Sequence, residues 1–171
     1  MLAKLIIEGK EFDIEILDPK LQELVKPEAK KTGYECSTKE DVTYYFDNGG
    51  GYVGTSIDLC PGSCSSNAYV AANYYTSKQV AENNVRADKL MRQLRRFAVE
   101  HREYELNWYD DGQYKWSCYY DYQDGEIAVF ADWDCRTFSN IYFDSEETAN
   151  LAVETFYDEL IWYFTEYKDS L

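Results

Sequence analysis

The sequence predicts an α+β protein made of two tandem β-β-β-α units behind a small N-terminal β-hairpin appendage. Three observations lead to it. Short segments rich in aromatic and β-branched residues, the one at Phe12, Ile14 and Ile16 in strict alternation, are divided by glycine-containing turns. Two later segments carry apolar residues at helical spacing behind capping signatures. The two successions of strands and helix also match each other in order.

The appendage comes first. Leu5-Ile6-Ile7 runs into the turn Glu8-Gly9-Lys10, after which Phe12, Ile14 and Ile16 alternate with charged neighbours. Leu21, Leu24 and Val25 suggest a short helical turn stopped by Pro27. Lys26 to Gly33 carries three lysines and chain breakers, as an exposed linker does. Residues 1–33 are therefore taken as hairpin and linker.

The first unit, 34–103, opens with a strand at Thr43-Tyr44-Tyr45-Phe46 and a turn at Asp47-Asn48-Gly49-Gly50-Gly51. Tyr52 to Leu59 returns, Pro61 to Asn67 is a loop, and Ala68 to Tyr75 is a third strand. A long helix follows, with Thr76 as N-cap, Gln79 completing a capping box and Tyr75 packing on Val80. Val80, Ala87, Leu90, Met91, Leu94, Phe97 and Ala98 fall on one side of it.

The second unit, 104–171, repeats this grammar. Strands are expected at Tyr114 to Tyr122, Glu126 to Trp133 and Phe138 to Phe143, the first two joined by Gln123-Asp124-Gly125. Asp144 is the expected N-cap, with Glu147 three residues on. Ala149, Ala152, Val153, Phe156, Leu160, Phe164 and Tyr167 form the main helical stripe. Leu151, Thr155 and Trp162 fall on another side. Tyr75-Thr76-Ser77-x-Gln79-x-Ala81 lies over Phe143-Asp144-Ser145-x-Glu147-x-Ala149, and the Tyr44-Tyr45 hairpin lies over the Tyr119-Tyr120 hairpin. An internal duplication accounts for two matches in the same order.

Charge separates the two halves. The whole chain has a formal net charge of −15. Residues 1–102 carry 14 Lys plus Arg against 15 Asp plus Glu, whereas residues 103–171 carry 3 against 17. Such a surface repels phosphate backbones and anionic membranes, so neither nucleic acid nor membrane is an expected direct partner. No apolar run approaches the ~18 residues of a membrane span, and the start lacks the apolar stretch of a secretory signal. A cytoplasmic location is expected.

Reaction chemistry has few candidates. The one histidine, His101, lies near a helix end, where a cation suits the helix dipole. The five cysteines, Cys36, Cys60, Cys64, Cys118 and Cys135, are odd in number and irregular in spacing, so reduced thiols are expected. Cys60 and Cys64 have the spacing of half a zinc site, without a second half. The glycines at 49–51 join two strands and lack the Gly-Lys-Ser/Thr of a phosphate loop. Asp110-Asp111 and Asp132-x-Asp134 have no calcium-loop spacing around them. The reading is a binding protein, not an enzyme, with neither cofactor nor metal.

Partner contacts are expected from the acidic half. Asp121, Asp124, Glu126, Asp132, Trp133 and Asp134 lie on or beside one hairpin, and strand alternation aims Asp132 and Asp134 to one face. On the second helix Leu151, Thr155 and Trp162 form an apolar strip amid carboxylates, with Glu154 and Asp158 on one flank and Glu159 and Glu166 on the other. That strip is either packed on the other unit or a contact for a second chain, a homodimer included. The alternative site is the basic face of the first helix, Lys89, Arg92 and Arg96 with Arg95 beside them. The plainer reading is a solvated helix face that the acidic neighbour balances locally.

Several stretches carry a resemblance: Lys31-Thr32-Gly33-Tyr34-Glu35 with the Tyr-rich hairpin after it, Asn73-Tyr74-Tyr75-Thr76-Ser77-Lys78-Gln79-Val80-Ala81, and Ile141-Tyr142-Phe143-Asp144-Ser145-Glu146-Glu147-Thr148-Ala149. Together they resemble short acidic phage and prophage proteins of Gram-positive bacteria, in which aromatic strands followed by a capped helix recur over most of the chain. The resemblance implies a phage-encoded protein in a bacterial cytoplasm. Such proteins include inhibitors of CRISPR nucleases that occupy a basic nucleic-acid groove. The expected function is thus stoichiometric inhibition of a host defence system, foremost a Cas9-type nuclease. The alternatives are binding or sequestering a small nucleotide signal, and a structural or assembly role in the phage. The arginine-lined first helix departs from a uniform nucleic-acid mimic, which confines mimicry to the second unit.

Overall fold

A computed structural model describes residues 2–7, 10–15, 31–36, 41–58, 67–137 and 140–169. The chain forms two compact units, Met1–Thr32 and Gly33–Leu171. The first holds an antiparallel hairpin, β1 (Leu2–Ile7) with β2 (Lys10–Glu15), in register from Leu2↔Glu15 to Ile7↔Lys10. Ile16, the turn at Glu8-Gly9, the short helix expected at Leu21 to Val25 and most of the linker lie outside the described residues.

The second unit is α+β. Its two antiparallel hairpins are β3 (Val42–Asp47) with β4 (Val53–Asp58), and β5 (Lys115–Asp121) with β6 (Glu126–Asp132). Its helices are α1 (Asn67–Val70), α2 (Lys78–Glu100), α3 (Glu146–Thr155) and α4 (Tyr157–Thr165).

Neither expected third strand forms in full. Over Ala68 to Tyr75 the chain makes part of α1 and then a single antiparallel bridge, Tyr75 to Tyr45. The Asn73 side chain substitutes for further backbone pairing. Its Oδ1 accepts from the Asp47 N–H at 2.6 Å and its Nδ2 donates to the Asp47 carbonyl at 2.9 Å. In the second half the counterpart is one bridge, Phe143 to Trp116. Phe138 lies outside the described residues. In both halves, then, the first strand of the hairpin pairs on its outer side with the aromatic residue that leads into the helix.

The N-caps lie one residue beyond Thr76 and Asp144. Ser77 Oγ accepts from the Val80 N–H, and Ser145 Oγ accepts from the Thr148 N–H at 3.1 Å. Thr76 and Asp144 are drawn instead to the segment ahead of each hairpin. Thr76 Oγ1 donates to Glu35 at 3.0 Å and its N–H to the Gly33 carbonyl at 2.7 Å. Asp144 Oδ2 accepts from the Glu103 N–H at 2.6 Å. With those side chains engaged, the following serines are left to satisfy the helix N–H groups.

α2 is the shared spine. Its first turn sets Val80 and Ala81 against Tyr75, with Tyr34, Tyr45 and Val53 around them. Its second half sets Leu90, Leu94, Phe97 and Ala98 against Phe143, Ala149, Ala152 and Leu160, closed by Trp116, Cys118, Ile127 and Val129 of the second hairpin. Gly33 is needed at the first cluster, because its φ is +93° and a Cβ there would stand 2.9 Å from Val80 Cγ2.

The second helical segment is broken where one continuous helix is expected. Phe156, at φ −114° and ψ 21°, separates α3 from α4. Just before it, Thr155 Oγ1 bonds back to the Leu151 carbonyl at 2.7 Å, a contact that bends helices. The break shifts the phase of the stripe. Trp162 therefore turns inward and is 8% exposed, while Leu151 stays at the surface.

The cysteines also depart from expectation. Cys118 and Cys135 are free, but Cys36 is disulfide-bonded. Cys60 and Cys64 lie outside the described residues. Among the described residues, no helix is long and apolar enough to cross a membrane.

Candidate partner-binding surface

The expected acidic residues are on the β5–β6 hairpin but do not form one patch. Asp121, Asp124 and Glu126 are at its turn, and Asp132, Trp133 and Asp134 are at its open end. Seven-residue strands at ~3.3 Å per residue put the two groups ~20 Å apart. Asp121 also serves the turn itself, where its Oδ1 accepts from the Gln123 N–H at 2.8 Å and the Asp124 N–H at 3.3 Å. Asp124 and Glu126 are exposed. The common face expected for Asp132 and Asp134 does not follow, because β6 ends at Asp132 and Asp134 lies in a bend beyond strand alternation.

The open end is built around a residue that sequence reasoning passed over. Lys115 is 0% exposed, and its Nζ donates to the carbonyls of Asp110 and Trp133, each at 2.9 Å. It lies 5.4 Å from the Trp108 ring centre. The ammonium thus ties the 101–114 loop to the end of β6 and fixes the backbone at Trp133. Its only sequence signal is a lone cation between aromatics, Tyr114-Lys115-Trp116. Burial also withdraws a positive charge from the surface, so Arg136 and Lys168 are the exposed cations of residues 103–169. At this end the Tyr114 and Trp133 rings, both at least half exposed, meet edge to face at 6.4 Å, and Asp132 and Asp134 are the chain neighbours of Trp133. Beyond them, Asp134 pushes the exposed Cys135 thiol up by a hydrogen bond and by its charge.

Glu154, Asp158 and Trp162 sit differently. Glu154 and Asp158 line a groove of about 480 Å³ at the α3–α4 break, facing Arg86, Lys89 and Gln93 of α2. Arg86 clamps Glu159 with two hydrogen bonds, at 2.8 and 3.2 Å, and its guanidinium lies 3.9 Å from the Trp162 ring centre. Trp162 is thus covered by a cation of its own chain and is not an exposed anchor. Of the three acids of this groove, Glu159 is paired across it by α2.

The basic face of α2 borders a further cavity of about 280 Å³, lined by Gly49, Gly50, Gly51, Lys89, Arg92, Gln93 and Arg96. Among the described residues no carboxylate lines it, although Arg92 reaches Asp47 at 3.5 Å and Arg96 reaches Glu100 at 3.7 Å. His101 caps α2, its ring stacked on Phe97 at 3.9 Å between centres. Among the described residues no three His, Cys, Asp or Glu side chains converge as metal ligands do.

No protein-family model matches the chain. No curated protein and no solved structure matches it either.

Proposed function

We propose that this chain is a non-catalytic binding protein whose acidic second half captures a basic surface on another protein. The observation that carries the reading is the open end of the β5–β6 hairpin. There Asp132 and Asp134 adjoin Trp133, whose exposed ring meets that of Tyr114, while Lys115 is buried and Arg136 is the one exposed cation of that end among the described residues. Carboxylates of this kind speed encounter with a basic partner and exclude acidic ones, and large amphipathic rings supply contact area at low entropic cost. The partner class that the phage resemblance implies is a host defence nuclease of the Cas9 type, in a bacterial cytoplasm, with its nucleic-acid groove occupied stoichiometrically. Titrating the chain into a guide-programmed DNA-cleavage reaction tests this. Cleavage should stop near one equivalent and recover as salt is raised, and unimpaired cleavage at large molar excess would remove the nuclease reading.

A second reading rests on the cavity of Gly49–Gly51 with Lys89, Arg92 and Arg96, whose lining suits a small phosphate-bearing ligand such as a nucleotide signal. A nucleotide-dependent rise in melting temperature that Arg92→Glu abolishes would favour it over protein capture.

A further inference from the structure

Strand β6 is paired along one edge only. Among the described residues it pairs with β5 in an unbroken register from Lys115↔Asp132 to Asp121↔Glu126, and nothing pairs with its other edge. The bridge to Phe143 shows which backbone groups point there. The Trp116 N–H donates to the Phe143 carbonyl at 2.9 Å, and the Phe143 N–H donates to the Trp116 carbonyl at 2.7 Å. The backbone polar groups of Trp116 therefore face away from β6, and Trp116↔Ala131 is a pair without mutual hydrogen bonds. Alternation makes Cys118↔Val129 and Tyr120↔Ile127 pairs of the same kind. Ile127, Val129 and Ala131 thus turn three N–H and three C=O groups toward the free edge.

Such an edge is a template for another strand. Proline, lysine and bulges, the usual guards, are absent from β6. Its charges are Glu126 and Asp132, at the two ends. Ile127 and Val129 pack on the core, so alternation puts Glu126, Ala128, Phe130 and Asp132 on the opposite face. A second copy pairing antiparallel about Val129 would set Glu126 against Asp132 twice, and directly opposed like charges are destabilising. A strand with a cation at each of those places would be attracted instead.

We propose that β6 is an edge-pairing site for an extended segment of the basic partner. That segment carries Lys or Arg six residues apart, flanking two apolar side chains on the same face. The inference rests on the acidic-capture reading and gives its partner a conformation. Backbone pairing supplies affinity and the end charges supply selection.

The probe is a fluorescent capped peptide, Lys-Thr-Val-Thr-Ile-Thr-Lys, titrated into the full chain and followed by anisotropy. Paired antiparallel with its lysines opposite Asp132 and Glu126, its threonines donate to β6. N-methylation of the three threonines should weaken binding about tenfold or more, through three lost hydrogen bonds. N-methylation of the valine and isoleucine, whose N–H groups point outward, should change it little. Ala131→Pro, which removes one edge N–H and no bond to β5, should weaken binding in a protein whose melting temperature is unchanged. If both methylated peptides bind alike, or if the parent peptide fails to bind, edge pairing is overturned. If Glu126→Gln with Asp132→Asn also leaves binding and its salt dependence unchanged, the acidic-capture reading fails as well.

Discussion

Replacing Lys115 with alanine should destabilise the second unit far more than a surface lysine would. Lys115 Nζ is fully buried and donates to two carbonyls at 2.9 Å, those of Asp110 and Trp133. Alanine removes two part-buried hydrogen bonds from a charged donor, worth ~1.5–3 kcal/mol each, and the packed stem. Relief of the buried ammonium returns part of that, because an ion out of water costs several kcal/mol. The net expectation is a loss of about 3 kcal/mol, or a fall of ~6–12 °C in melting temperature for a chain of this size. Lys115→Met refills the space without donating and should recover about half of the loss. Urea unfolding followed by tryptophan fluorescence, with calorimetry beside it, measures both variants. An alanine variant within about 0.5 kcal/mol of wild type, the range of ordinary surface changes, would refute the clamp.

Gly33→Ala should cost roughly 2 kcal/mol in the same assay, since a Cβ at φ +93° meets Val80 Cγ2 at 2.9 Å. Burial first, and the neighbouring Tyr34 next, push the Tyr75 and Tyr167 hydroxyls up to about 12. The folded chain then holds protons that the unfolded chain has released, so this contribution is full below pH ~10 and is lost as pH rises through 10 to 12. Urea midpoints across that window should fall, and the fall should shrink in Tyr75→Phe. Iodoacetamide followed by mass spectrometry should label Cys135 in the native protein and Cys118 only after unfolding, because burial pushes the Cys118 thiol up. Cys36 should be labelled only after reduction.

The features read correctly from sequence are those set by local periodicity. Over 23 residues of α2 the apolar spacing marks Val80, Ala87, Leu90, Met91, Leu94, Phe97 and Ala98, all of which are buried except the half-buried Met91. The two Tyr-rich hairpins are legible from aromatic runs on either side of glycine turns. What failed depends on long-range partners. Asn73 completes the edge at Asp47, 26 residues away, so a strand was expected where one side chain suffices. Thr76 and Asp144 have the chemistry of N-caps, but Glu35 and the Glu103 N–H engage them first. Trp162 falls on a side that sequence leaves either packed or free for a second chain, and the break at Phe156, which carries no periodic signal, turns it inward under Arg86. Asp121, Asp124 and Glu126 are close in sequence to Asp132 and Asp134, yet the extended length of β6 holds the two groups at opposite ends of the hairpin. Lys115 finds its acceptor on Trp133, 18 residues on, and no spacing rule marks that pair.

Association kinetics at two ionic strengths test the central claim most directly. With the chain flowed over an immobilised Cas9-type nuclease, Asp132→Lys with Asp134→Lys is compared with Arg92→Glu with Arg96→Glu. Acidic reversal should slow association several-fold at low salt, with the difference closing as salt screens the field, and arginine reversal should change it little. Acidic reversals that bind like wild type, beside arginine reversals that abolish binding, would contradict the account and move the site to the basic face of α2.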